Sequence, residues 1–252
     1  SGQVRQQRDL VSAQARRAEQ LSSFLVGVFS HADPLQRAGA EVSAKALLDA
    51  AVVRIRSELG SEPLTRLALM RSMAQAYMGL GLPKEALALS QEIVTLGRAL
   101  GPYPEWGLDL TLLSVNLNDT SQPAAAEPVA IEALAWAQAQ PQPDLRLIAR
   151  ILNVQGAATS QLPDSEAPTD AIYARLLGML EADPDLDPPR LEAVRLMTSR
   201  RLASKGEFAA SEKLVTAVIA EIRRSVPPRD LDLATALDAL GSLYKKMGRN
   251  SE

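Results

Sequence analysis

Apolar residues along this chain recur at spacings of three and four, which is the period of one face of an α-helix. A first apolar face lies at Leu21, Phe24, Leu25, Val28 and Phe29, and a second one lies at Leu47, Leu48, Ala51, Ile55 and Leu59. Between them stands Asp33-Pro34, where a helix would end because the residue before a proline disfavours the helical conformation. The pattern therefore predicts helices over residues 3–31 and 42–59.

After residue 60 the same pattern continues as a series of helical hairpins. It predicts a helix over 64–79, a turn at 80–83 and a return helix over 84–100. Pro83 is tolerated at the start of the return helix, because its missing N–H would be unpaired there anyway. Further turns are expected at 118–123, 161–168 and 205–208, and connectors rich in proline and aspartate at 183–189 and 226–230.

A small residue marks the same point of each hairpin. These residues are Ala74, Ser114, Gly156, Ser199 and Gly241, and their successive separations are 40, 42, 43 and 42 residues. A fixed period of this size is typical of a stacked array, in which each hairpin buries its apolar face against its neighbours. Since a small residue lets two helices approach closely, we expect all five positions to lie where helices meet.

Composition narrows the class of protein. With 46% hydrophobic but only 4% aromatic residues, the core must be aliphatic, as in closely packed helix pairs. The 27 basic and 30 acidic residues are balanced and dispersed, which argues against a nucleic-acid partner. The absence of cysteine excludes disulfides and thiolate metal sites. The start at Ser1-Gly2 without methionine indicates an excised fragment.

Three segments could be mistaken for catalytic or ligand-binding motifs. The segment Gly79 to Lys84 has glycines but lacks the spacing of a phosphate-binding loop. The segment Asp183 to Asp187 alternates carboxylates like a calcium loop, yet Pro188 stands where the loop needs glycine and Val194 where it needs glutamate. With His31 as the only histidine and no cysteine, nucleophilic triads are nearly excluded. We therefore expect no catalytic residues, no metal and no cofactor.

The residues of the hairpins resemble tetratricopeptide (TPR) repeats, whose first helix carries Leu-Gly-x-x-Tyr and whose turn reads Gly-x-aromatic-x-x-Ala. The matching residues are Tyr77, Gly81 and Ala86, then Gly206 and Phe208, then Leu240, Gly241, Tyr244 and Gly248. The resemblance implies an all-α, right-handed superhelix of stacked antiparallel helix pairs. A period of about 42 instead of about 34 resembles the long-helix variant of the repeat. Residues 63–252 would hold about four and a half such units in a single continuous domain.

The N-terminal region adds a second resemblance. The run from Ala18 to Phe29, then Ala32-Asp33-Pro34 and Leu47-Leu48-Asp49, resembles the segment that opens the C-terminal repeats of bacterial Hanks-type serine/threonine kinases. In many of these kinases a membrane span separates the kinase domain from extracytoplasmic repeats. The resemblance implies a periplasmic sensor module, with residues 1–62 as a juxtamembrane-like helix and a first helical pair, and the span outside this sequence. The alternative is a cytosolic scaffold without membrane attachment, and a homodimer stays open in either case.

The usual function of a repeat superhelix is to present a concave surface lined by the first helix of each pair. The groove positions of the TPR family place seven residues on it: Arg71, Gln75, Thr111, Asn118, Arg150, Asn153 and Arg200. Arginines among amides suit a carboxylate, because the guanidinium offers a fork of donors. We therefore expect a protein or peptide ligand of acidic character. The alternative is that the arginines are solvated or pair with acids nearby.

Overall fold

A computed structural model describes residues 43–225 and 229–249. These ranges contain ten helices and no strand: α1 Ala44–Glu58, α2 Pro63–Gly79, α3 Pro83–Leu100, α4 Trp106–Asp119, α5 Pro123–Gln138, α6 Leu145–Thr159, α7 Glu166–Ala182, α8 Pro188–Ser204, α9 Phe208–Arg223 and α10 Asp230–Lys246. The predicted helix over 3–31 and the juxtamembrane-like role of the N-terminal region lie outside the described residues.

The helices form the predicted antiparallel pairs, α2 with α3, α4 with α5, α6 with α7 and α8 with α9, and α10 begins a further pair. The turns of the first and fourth pairs contain Gly81 and Gly206 at φ values of 70° and 81°, a conformation that glycine adopts without a Cβ penalty. The expected all-α array of stacked helix pairs is confirmed.

Local sequence sets where several helices begin. Pro63, Pro83 and Pro188 each stand in the first turn of a helix, where the missing N–H costs no hydrogen bond. The Asp144 carboxylate caps α6 by accepting from the backbone N–H groups of Arg146 and Leu147 at 2.9 and 3.2 Å. Such a cap stabilises a helix by about 1 kcal/mol.

Two compact bodies divide the chain, residues 1–133 and 134–252. The described part of the N-terminal body contains α1 to α4 and the first part of α5, around a core that includes Ile55, Met70 and Ile93. The C-terminal body contains the end of α5 and α6 to α10, with a cluster around Val215, Val218 and Ala236. The expected boundary between residues 62 and 63 stays a prediction.

Small residues lie at the contact between the helices of each complete pair. In the first pair Ala74 is fully buried, as is Ala86 of the facing helix. In the second, the Ser114 hydroxyl donates to the Ala126 carbonyl at 2.9 Å. In the fourth, the Ser211 hydroxyl lies 2.8 Å from the hydroxyl of Ser199 and donates to its carbonyl at 2.8 Å. These hydrogen bonds satisfy hydroxyls that would otherwise be costly to bury.

The third pair shows most directly why the position must be small. Gly156 on α6 faces the ring of Tyr173 on α7, and a Cβ at residue 156 would lie only 2.6 Å from the Tyr173 Cζ atom. The ring fills the space that a side chain would take. The close approach of α6 and α7 therefore requires glycine at this point.

Gly241 does not follow the expectation. It is exposed on α10, and a Cβ there would meet nothing within 4 Å. The physical reason is that the described residues contain no second helix paired with α10. The prediction that residue 241 lies at a helix contact is therefore wrong for the part of the chain that the structure describes.

Two glycines of the C-terminal body give a matched test of this packing. Gly178 on α7 is exposed and a Cβ there would meet nothing within 4 Å. Gly178→Ala should raise the free energy of unfolding by about 0.5–1 kcal/mol, since alanine favours the helix. Gly156→Ala should lower it by about 1–3 kcal/mol, because the Tyr173 ring must move. Urea unfolding followed by circular dichroism measures both. Equal effects of the two substitutions would contradict the close contact of α6 and α7 at Gly156.

Candidate functional site

The seven residues predicted from the sequence lie on the first helices of the pairs, α2, α4, α6 and α8. The structure gives them different surroundings. Gln75 and Arg200 are exposed, Arg71, Asn118, Arg150 and Asn153 are partly buried, and Thr111 is buried.

In the N-terminal body, Arg71 on α2 is already paired. Its Nε and Nη2 atoms donate to the two carboxylate oxygens of Asp109 on α4 at 2.5 and 2.9 Å. The Tyr103 hydroxyl donates to the same carboxylate at 2.7 Å. Asp109 is 0% exposed, so these three bonds satisfy a carboxylate that water does not reach.

The pKa values of Arg71 and Tyr103 both reflect their hydrogen bonds to Asp109. Burial alone would lower the pKa of Arg71, but the hydrogen bonds and the charge of Asp109 outweigh it and leave that pKa raised. Burial, and then the hydrogen bond to Asp109, raise the pKa of Tyr103. Arg71 therefore joins α2 to α4, and its paired Nε and Nη2 donors are not offered to a ligand. This arrangement agrees with the alternative that the arginines pair with acids nearby.

Thr111 requires a correction. It is only 1% exposed, and its hydroxyl donates to the Gly107 carbonyl one helical turn earlier at 2.5 Å. The expectation that it lines an open surface is wrong, because α4 is buried on nearly all sides. Gln75 and Asn118 are reachable by solvent, so their predicted role as ligand contacts stays a prediction.

In the C-terminal body, Arg150 on α6 has a different environment. It is partly buried, and it forms no hydrogen bond or ion pair with any residue in 43–225 or 229–249. Burial, and then the positive charge of Arg190 on α8, lower the pKa of Arg150. Arg190 itself is bonded to Asp187, with its Nε atom 2.6 Å from Oδ2. Arg150 is thus a partly desolvated cation without a counter-ion among the residues that the structure describes.

Asn153 lies three residues after Arg150 and is also partly buried. Residues three apart share one face of a helix, so an amide accompanies the guanidinium on α6. Arg200 is exposed on α8. We use the name arginine surface for the three predicted site residues of the C-terminal body, Arg150, Asn153 and Arg200, whose position on one common surface stays a prediction. Its chemistry is that of hydrogen-bond donors and positive charge, which suit a carboxylate.

Sequence reasoning missed a cleft between α7 and α8. It has a volume of about 410 Å³ and includes Tyr173, Leu177, Gly178, Thr198 and Leu202 in its lining. Asp170, Arg201 and Lys205 also line it, and the Asp170 carboxylate accepts from the Arg201 Nε atom at 2.5 Å and from Lys205. The signal that could have revealed it is Leu202, which stands where the TPR pattern has tyrosine.

The described residues contain neither a metal-binding cluster nor a membrane-spanning helix. Residues 43–225 and 229–249 contain no group of three or more histidine, cysteine, aspartate or glutamate side chains arranged to hold a metal ion. None of the helices in these ranges is long and apolar enough to span a membrane.

Comparison with known proteins identifies the fold through solved structures. No protein-family profile matches the chain, and no curated protein matches it either. The structure of BtubC (BKLC) from P. vanneervenii aligns with a TM-score of 0.68 and 16% identity, over 81% of this chain and 83% of that one.

Two crystal structures of a candidate kinesin light chain from Podosopora anserina, with nearly identical TPR-like repeats, align with TM-scores of 0.61. Their identities to this chain are 14% and 15%, and the alignments cover 73% of this chain and 87% and 88% of theirs. Likeness at these identities concerns the fold. The chain has the fold of TPR-like repeat proteins, a class associated with protein–protein interaction.

The contrast between the arginines predicts different effects on stability. Arg71→Ala would leave the Asp109 carboxylate buried without its cation, and should lower the free energy of unfolding by about 3–5 kcal/mol. Arg200→Ala, at an exposed position, should change it by less than about 0.5 kcal/mol. Thermal and urea unfolding measure both variants. Similar stabilities would show that the Arg71–Asp109 pair does not hold α2 against α4.

Proposed function

We propose that this chain is a protein-interaction module that binds an acidic segment of a partner on the arginine surface of its C-terminal body. The observation that carries the proposal is Arg150, which is partly buried, lies beside the like charge of Arg190 and has no acid partner among the described residues. Such an arrangement costs free energy in the unbound protein, and a bound carboxylate would remove that cost.

The expected contact is a forked pair between the Arg150 guanidinium and a partner carboxylate. Hydrogen bonds to charged groups contribute about 1.5–3 kcal/mol each. The Asn153 amide adds a neutral donor on the same helix face, and Arg200 on α8 adds a second, solvated charge. This proposal assigns no contact to Arg71 or Thr111, because the former is paired with Asp109 and the latter is buried.

For the intact protein we propose the role of a sensor module that reports to a serine/threonine kinase across a membrane, with this chain in the periplasm. What supports it is the resemblance carried by residues 18–34 and 47–49. The alternative is a cytosolic scaffold that assembles partners through the same surface. The two proposals share the interaction module and differ in what precedes it.

The binding proposal is tested with a synthetic glutamate-rich decapeptide as the probe. Arg150→Glu should weaken its binding at least tenfold, equivalent to about 1.4 kcal/mol. The matched control is Arg224→Glu, which makes the same charge change at an exposed residue that caps α9, and it should leave the affinity within about twofold. Isothermal titration measures each dissociation constant.

Added salt provides a second readout for the same peptide. Because exposed charge pairs are screened over about 8 Å at physiological ionic strength, the affinity should fall between low and high salt. Salt-independent binding, or equal losses for Arg150→Glu and Arg224→Glu, would remove the arginine surface from the proposal.

The proposed membrane topology of the intact protein is tested by reading its full gene and by protease access in cells. We expect the natural protein to carry an apolar run of about twenty residues before this region, and an epitope inserted at the exposed 161–164 turn to be reached by protease in spheroplasts. An epitope protected until the cells are lysed would favour the cytosolic scaffold and contradict the sensor.

A further inference from the structure

Two tyrosines of the chain make the same contact in different repeats. The Tyr77 hydroxyl on α2 donates to Asp49 Oδ1 on α1 at 2.7 Å. The Tyr244 hydroxyl on α10 donates to Glu212 Oε1 on α9 at 2.7 Å. In each case a ring near the end of a first helix reaches an acid near the start of the helix that precedes it. The ring and the acid therefore occur together in two of the five repeats, and the equivalent positions of the other three are Leu117, Thr159 and Leu202.

The repeat that contains α7 and α8 has the acid but lacks the ring. Leu202 lies 42 residues before Tyr244, and Asp170 lies 42 residues before Glu212. Leucine has no hydroxyl to donate, and Asp170 accepts from Arg201 and Lys205 instead. The cleft of about 410 Å³ opens at this point, whereas the cleft beside Tyr77 measures about 270 Å³.

The walls of the larger cleft suit an aromatic ring. Tyr173, Leu177 and Leu202 supply apolar surface. At Gly178 a Cβ would meet nothing within 4 Å, so space remains above the α7 backbone. The Thr198 hydroxyl is buried and has no hydrogen-bond partner within the described residues. A buried hydroxyl without a partner costs about 1–3 kcal/mol, which a polar group on a ligand would offset.

The charged side chains around the cleft resemble those around the Tyr244 ring. In the following repeat, the Arg249 guanidinium lies 4.4 Å from the centre of the Tyr244 ring, and its Nη1 atom lies 3.4 Å from Glu212 Oε2. A cation therefore lies over the face of that ring, which the ring quadrupole favours, and the ring hydroxyl donates to a carboxylate that the same cation contacts. The cleft has the cations Arg201 and Lys205 and the carboxylate of Asp170, and residue 202, which corresponds to Tyr244, is a leucine.

We propose that the cleft between α7 and α8 binds a tyrosine side chain of a partner protein, in the place that Tyr244 fills in the following repeat. The partner's ring packs on Leu177, Gly178 and Leu202, and its hydroxyl donates to the Asp170 carboxylate. This docking point is separate from the arginine surface, and it does not depend on the acidic-segment proposal. Together the two sites would select a partner that presents both a tyrosine and an acidic stretch.

The test uses N-acetyl-L-tyrosinamide as the probe and two-dimensional amide NMR spectra of the full chain as the readout. We expect saturable shifts at the amides of Leu177, Gly178 and Leu202. Leu202→Tyr should weaken binding at least tenfold (about 1.4 kcal/mol), because the chain's own ring then occupies the cleft. Gly178→Leu should do the same by filling it from α7.

The matched control is Gly241→Leu, the same substitution at an exposed helical glycine with open space around it, which should leave binding within about twofold. Melting temperatures of all three variants show that each one folds. Absent cleft shifts, or wild-type binding by both Leu202→Tyr and Gly178→Leu, would overturn the proposal. N-acetyl-L-leucinamide binding as tightly as the tyrosine probe would overturn the aromatic assignment. Binding of p-cresol without binding of N-acetyl-L-tyrosinamide would make the ligand a free phenol.

Discussion

The close approach of the two helices in each pair at a small residue is the constraint on which the rest of the structure depends. Ala74, Ser114, Gly156 and Ser199 are buried at these contacts, and any larger side chain would push the helices apart. The contact fixes how each pair rotates, and so decides which helix faces remain open. Among the residues directly after the small ones at these contacts, Gln75 and Arg200 are exposed and Val115 and Ala157 are partly buried.

Arginines at neighbouring places on these first helices acquire opposite roles from their surroundings. Arg71 meets the buried carboxylate of Asp109 and becomes part of the packing between α2 and α4. Arg150 is exposed to the positive charge of Arg190, which itself pairs with Asp187. Paired, a partly buried arginine stabilises the array; unpaired, it is a candidate site for a partner's carboxylate.

Much of the fold could be predicted from the sequence because helical periodicity and the forty-residue period are local signals. The candidate site was less accessible, since its environment depends on contacts between distant residues. Asp109 lies 38 residues after Arg71. Neither segment by itself indicates that α2 and α4 bring these two side chains together. Thr111 reads as a polar surface residue, yet the neighbouring helices bury it. Leu202, which is one of three such positions without tyrosine, is the residue that could have indicated the cleft.

The most direct test of these helix contacts is a series of leucine substitutions at the five recurring small positions, measured by urea unfolding of the purified chain. We expect leucine at each of residues 74, 114, 156 and 199 to lower the free energy of unfolding by about 1–3 kcal/mol. Leucine at residue 241, which is exposed, should instead raise it by about 0.5–1 kcal/mol, since leucine favours the helix over glycine. Equal stabilities across the series, or a loss at residue 241 alone, would contradict the account.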